Sequence, residues 1–232
     1  LVSKPLSAQL SFDLPSRPSL QRGDFFISPS NALALSMLEE WPVWPNNCHI
    51  LTGPEGAGKT HLAHVWAATS GAQILNASDL PSQEIATLSQ ASLVVENIPN
   101  ISGSRAAEEA LFHLLNLIKT GRGRLLMTGR ENALFWGIKL PDLASRLAGA
   151  RSAELHAPDD ILFAALLVKL FADRQLFPSP NAIQYLVTRI ERSFKSAQMI
   201  VTQIDRIALS KQQAVTRSLI SKILASADHS SD

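Results

Sequence analysis

Eight consecutive residues, Gly53-Pro54-Glu55-Gly56-Ala57-Gly58-Lys59-Thr60, carry the spacing Gly-x-x-x-x-Gly-Lys-Thr. Glycines at these places let backbone N–H groups curl closely around phosphate oxygens, an approach that a Cβ would block. The lysine can reach terminal phosphates, and the next hydroxyl can hold Mg²⁺. The flanks supply the context this chemistry needs. Cys48 to Thr52 is a short apolar run readable as a buried strand, and His61 to Thr69 has helical spacing with Leu62, Val65, Trp66 and Thr69 on one side. A strand, a glycine-rich turn and a helix N-terminus together make an anion cradle. The segment predicts a site for a nucleoside di- or triphosphate.

Other residues could complete such a site. Leu93-Val94-Val95-Glu96-Asn97 is a second apolar strand, and it ends in an acid. Glu96 could approach the Mg²⁺ shell, or be an ordinary surface or capping acid. Asn97 stands where a hydrolase needs a carboxylate to deprotonate water; an amide can orient water but cannot take its proton. Thr128 closes another strand, where its hydroxyl could meet a γ-phosphate or the attacking water. Pro141 to Leu147 places Arg146 on a short helical segment. A guanidinium there could stabilise charge in phosphoryl transfer on a neighbouring subunit, or form a surface salt bridge. Arg192 opens a later helix and could report nucleotide state, or simply face solvent.

These residues need a layered scaffold. Further strands are expected at 72–75, 92–96, 124–128 and 152–155, near-continuous in hydrophobicity as parallel strands covered on both faces should be. The helical segment at 104–119 carries an apolar stripe of Ala107, Leu111, Leu114, Leu115 and Ile118. Alternation of this kind implies an α/β domain. Ser28-Pro29 is expected to open a first helix running to Glu40, ended by Trp41-Pro42 and Trp44-Pro45. The four tryptophans, Trp41, Trp44, Trp66 and Trp136, suit packing anchors. After residue 155 only helical patterns follow, beginning with Pro158-Asp159-Asp160 and continuing at about 180–190, 193–210 and 213–227. The expected organisation is a tail at 1–20, a nucleotide-binding base at 21–157 and a helical lid at 158–232.

Composition narrows the function classes. The 232 residues carry a net charge of +1 and one cysteine. Balanced charge argues against a dedicated nucleic-acid binder, although Arg122, Arg124 and Arg130 lie close together and could form either a local patch or a solvated rim. Cys48 alone can build neither an internal disulfide nor a thiolate cluster. The longest apolar run, 161–168, is too short to span a bilayer, and the first residues lack a signal-peptide pattern. A cytoplasmic location is expected, with no membrane association.

GPEGAGKTHL, LLMTGREN and LPDLASRLAGA together closely resemble the DnaA-related AAA+ family, including its shorter Hda-like regulators of replication initiation. The resemblance runs from about Gln21 onward. It implies a five-stranded parallel sheet of the AAA+ P-loop NTPase type, followed by a small all-helical lid, with ADP or ATP and Mg²⁺ as ligands. It also implies roles: Thr128 as first sensor, Arg146 as arginine finger, Arg192 as second sensor, and Phe26 and Ile27 beside the adenine. The initiator's DNA-binding and helicase-interaction domains are not expected, nor is direct sequence-specific DNA binding. In the tail, Gln9-Leu10-Ser11-Phe12-Asp13-Leu14 resembles the hexapeptide by which bacterial proteins dock on the DNA polymerase III sliding clamp. Gln9 would make polar contacts there, while Leu10, Phe12 and Leu14 fill an apolar groove. The partners implied are the clamp and DnaA, with homo-oligomers conceivable through the AAA+ interface. Glu96 in place of the family's usual Asp, and Asn97 beside it, imply weak intrinsic hydrolysis. The alternative is an autonomous ATPase, a motor or loader turning over its own ATP.

Overall fold

A computed structural model describes residues 27–211 and 213–228. Its centre is a five-stranded sheet, all parallel, in the order β2-β3-β4-β1-β5. The strands are β1 (Cys48–Thr52), β2 (Gln73–Asn76), β3 (Leu93–Glu96), β4 (Leu125–Thr128) and β5 (Ser152–Glu154). Each falls within a residue or so of its expected place. All five residues of β1 and all four of β4 are buried, which is why these runs lack polar alternation. β4 lies between β1 and β3 in space although it follows both in sequence. The register pairs Leu51 with Thr128 and Val95 with Met127. The C-terminal ends of β1, β3 and β4 therefore line up, at the edge where open parallel sheets bind ligands.

Helices cover both faces. On one, α4 (Arg105–Thr120) and α5 (Pro141–Ala148) bury Leu111, Leu114, Ile118, Leu143 and Leu147 against the sheet. On the other, α1 (Ala32–Glu39) and α2 (Lys59–Ser70) pack Leu38, Leu62, Ala63 and Trp66 with Trp44. A one-turn helix, α3 (Ile85–Leu88), had no distinct signal in the sequence. The remaining helices α6 (Asp160–Ala172), α7 (Pro180–Val187), α8 (Phe194–Lys211) and α9 (Arg217–Asp228) enclose a core of their own around Phe163, Phe171, Leu186 and Ile204.

Several helix starts differ from expectation, each for a capping reason. The first helix begins at Ala32, because Ser28 closes a turn instead: its C=O accepts the Asn31 and Ala32 N–H groups, and its N–H donates to Asn31 Oδ1 at 2.9 Å. Pro158 lies before α6 rather than in its first turn; Asp159 is the cap, accepting the Leu162 N–H at 2.8 Å. α9 starts at Arg217, where the Thr216 hydroxyl accepts the Leu219 N–H.

The tryptophans are packing residues. Trp44 stacks on Trp66 at 5.1 Å between centroids and on His49 at 5.2 Å, while Trp41 meets Trp66 edge-on. His49 is fully buried in β1, and neither ring nitrogen has a hydrogen-bond partner among the described residues. Burial first, then the Arg151 charge, push its pKa from 6.5 down to about 4, against a smaller opposing effect of Glu40. The unfolded chain therefore takes up this proton near pH 6.5, and the folded chain only near pH 4. Stability should fall as pH drops through that window and level off below it, by about 3 kcal/mol from this group. Urea unfolding of wild type and His49→Phe at pH 7 and pH 4.5 checks this: the variant should lose less stability between the two pH values.

Candidate functional site

The segment 53–60 leaves β1 and turns into α2 as expected of a phosphate cradle. Gly56 and Gly58 both take positive φ, and Gly58 caps α2 in the left-handed region. The loop is braced from below: the Gly53 N–H donates to the Arg130 C=O, and the Ala57 N–H to the Pro54 C=O. Lys59 folds back on its own loop, its Nζ donating to the C=O groups of Gly53 at 2.7 Å and Pro54 at 2.8 Å. These are positions from which a phosphate group would draw it away.

A cleft of about 420 Å³ opens above the loop, walled by Lys59, Thr60, His61, Asn97, Arg130 and Lys195 among others. Its charge is mostly positive, which suits phosphate. Glu55 sits at the rim between two of the cations, 3.0 Å from Arg130 and 3.3 Å from Lys195. The Lys195 hydrogen bond first, then the Arg130 charge, hold its carboxyl below the usual range. Burial and Arg130 lower the Lys59 pKa, while Glu55 and Glu96 act in the opposite direction.

Several expected site residues meet here. Asn97 lines the cleft in a left-handed conformation that asparagine tolerates better than most residues. Its N–H donates to the Thr128 hydroxyl at 3.2 Å, so the ends of β3 and β4 are joined directly under the cleft. Thr128 is itself buried. The Glu96 Oε1 is buried with no hydrogen-bond partner among the described residues. An orphaned carboxylate oxygen at this strand end, with the Thr60 hydroxyl at the start of α2, fits a hydrated Mg²⁺ that takes its remaining ligands from water and phosphate.

Other expected residues lie elsewhere. Arg192 pairs with Asp160 at 2.7 Å, at the start of α6. The lid-side cation lining the cleft is instead Lys195, in the first turn of α8, with Phe194 stacked on His61 at 5.9 Å. Ile27 is largely exposed and lines a separate apolar groove between α1 and α2, with Leu35, Leu38, Trp41, Leu62 and Trp66. Phe26 and the tail residues Gln9, Leu10, Phe12 and Leu14 fall outside the described residues. Arg146 projects from α5 between the buried Leu143 and Leu147. Its guanidinium lies 4.9 Å over the Phe112 ring, beside a cavity of about 370 Å³ shared with Lys119 and Ser145. That cavity is not the phosphate cleft, and among the described residues Arg146 makes no ion pair.

Sequence reasoning missed Lys195 and Arg130 as cleft residues. Arg130 follows Thr128 by two residues, which was the available signal. For Lys195 the signal was the onset of α8 at Phe194, which turns the first-turn lysine toward the loop.

No protein-family model matches the chain. Solved structures do match its fold. Domain III of the replication initiation protein DnaA from Thermotoga maritima superposes with a TM-score of 0.76 at 14% identity, covering 92% of this chain and 98% of that domain. AMPPCP-bound DnaA from Aquifex aeolicus gives 0.68 at 17% identity, covering 81% of this chain and 65% of that one. A RuvB variant from Thermotoga maritima gives 0.68 at 17% identity over 84% and 68%. The fold is that of an AAA+ domain. Within that class its likeness extends over nearly the whole of DnaA domain III. No helix among the described residues is long and apolar enough to cross a membrane.

Proposed function

We propose that this chain is an Hda-like regulator that inactivates the replication initiator DnaA. Its loop 53–60 binds ADP or ATP, with Lys59 and Lys195 on the phosphates and Thr60 and Glu96 toward Mg²⁺. The metal would supply charge neutralisation between phosphate oxygens. Asn97 can hold water but cannot deprotonate it, so this nucleotide acts chiefly as a structural ligand. Arg146 works in trans, placing its guanidinium on the γ-phosphate of ATP held by DnaA, where charge develops in the transition state.

The observation that carries this reading is the position of Arg146: exposed, free of ion pairs among the described residues, and outside the chain's own phosphate cleft. A guanidinium so placed serves another subunit's nucleotide more readily than its own. A homo-oligomer through the same face would use the same residue. Residues 9–14 bring the chain to the DNA-loaded sliding clamp, and tethering there raises the effective concentration of a weak partner to about millimolar.

The test is conversion of labelled ATP to ADP on DnaA, with this protein and DNA-loaded clamp present. Stimulation should require the clamp and be lost in Gln9→Ala. That variant should still stimulate when its concentration is raised to about millimolar, because only the tether is removed. Absence of stimulation by well-folded, nucleotide-loaded wild type, together with turnover of its own ATP that Lys59→Ala abolishes, would make the chain an autonomous ATPase instead.

A further inference from the structure

An arginine that acts on another chain's nucleotide must be presented at a fixed height and angle, and α5 is too short to hold itself. It has eight residues, and its N-cap, Leu140, offers no capping side chain. The cap comes from α4. Glu108 is 2% exposed, and its carboxylate accepts N–H groups from Gly103 at 2.8 Å, Lys139 at 3.0 Å and Leu140 at 2.7 Å. One carboxylate therefore stands in the first turn of α4 and at the entry of α5, at the positive ends of both helix dipoles. Burial pushes its pKa up, but the three backbone donors and Lys139 outweigh that and hold it below the usual range. A second tie, from the Ser102 hydroxyl to the Gly137 C=O at 2.6 Å, joins the same two loops. One turn further along α4, Phe112 supports the Arg146 guanidinium.

We infer that Glu108 is a positioning residue for Arg146, fixing the entry of α5 so that the guanidinium reaches a nucleotide on a second chain. This rests on the reading of Arg146 given above. Leu143 and Leu147 anchor α5 to the core independently. Loss of the carboxylate should therefore let the helix entry shift without unfolding the domain. Glu108→Gln leaves one acceptor and sets an NH₂ group against backbone N–H donors. A displacement of about 1 Å at a reacting group can cost about 10²-fold in rate.

The experiment compares wild type, Arg146→Ala, Glu108→Gln and the double variant in stimulation of DnaA ATP hydrolysis, with hydrogen exchange on each protein. Glu108→Gln should lower kcat about 10- to 100-fold, with the concentration for half-maximal stimulation and its own ADP affinity nearly unchanged. The double variant should match Arg146→Ala alone, because one residue acts through the other. Exchange should quicken at Lys139, Leu140 and α5, and not in α6–α9. The inference is overturned by a Glu108→Gln variant with full kcat, by losses that multiply in the double variant, or by a fall in kcat that only tracks a loss of folded protein. The Arg146→Ala arm reports separately on the reading beneath: if that variant stimulates normally, the in-trans reading fails and this inference falls with it.

Discussion

Arg146→Ala should slow clamp-dependent hydrolysis of DnaA-bound ATP by about 10³-fold or more, which is about 4 kcal/mol of transition-state stabilisation. The chain's own nucleotide affinity should change little, because Arg146 lines a different cavity from Lys59 and Lys195. Folding stability should also hold: the side chain is exposed, and its visible contact is the Phe112 ring. Arg146→Lys separates charge from shape. A lysine keeps the positive charge but not the planar fork that spans two phosphate oxygens, so it should recover only a minor part of the rate. Single-turnover hydrolysis on DnaA at saturating concentrations of this protein measures this without interference from weakened association. A lysine variant with wild-type rate would mean that general electrostatics suffices and that no in-line guanidinium contact is made.

What the sequence disclosed followed from how local each signal is. β1, the loop 53–60 and α2 form one continuous stretch whose chemistry is set by its own residues, so their positions could be read directly. The central strands were visible because burial on both faces removes polar alternation, as in Leu125–Thr128, whereas the edge strands β2 and β5 stay partly exposed. Non-local features were hidden. Glu108 reads as one more acid on an amphipathic helix until the loop at 139–140 folds over it. Lys195 and Arg192 are three residues apart, and only the onset of α8 decides which of them turns toward the loop and which meets Asp160. Ile27 sits close in sequence to α1, and the turn closed by Ser28 and Asn31 sends it to the α1–α2 groove. The deciding partners differ: distant backbone N–H groups for Glu108, a distant carboxylate for Arg192, and a local turn that no hydrophobic pattern announces for Ile27.

The contact between the phosphate loop and the helical part gives the second large effect. Gly56 has φ +78°, and a Cβ there would come 2.3 Å from the Ser193 Cβ and 3.0 Å from its Oγ. The Phe194 N–H donates to the Gly56 C=O at 2.9 Å, so loop and lid join backbone to backbone at this residue. Alanine at 56 in this left-handed conformation is strained by about 1–2 kcal/mol and also strikes Ser193, which must move and loosen that bond. Both distort the cradle, so ADP affinity should fall about 100-fold, or nearly 3 kcal/mol. The melting transition should change far less than ADP affinity, since the sheet and the α6–α9 bundle have separate cores. Titration with fluorescent ADP checks the size, and a second substitution finds the cause. Ser193→Gly removes the Cβ that the new methyl would strike. If crowding against the lid dominates, Gly56→Ala combined with Ser193→Gly should regain at least about tenfold in affinity, or half the lost free energy. If torsional strain in the loop dominates, the double variant should bind no better than Gly56→Ala, and the lid would then follow the loop's conformation rather than set it.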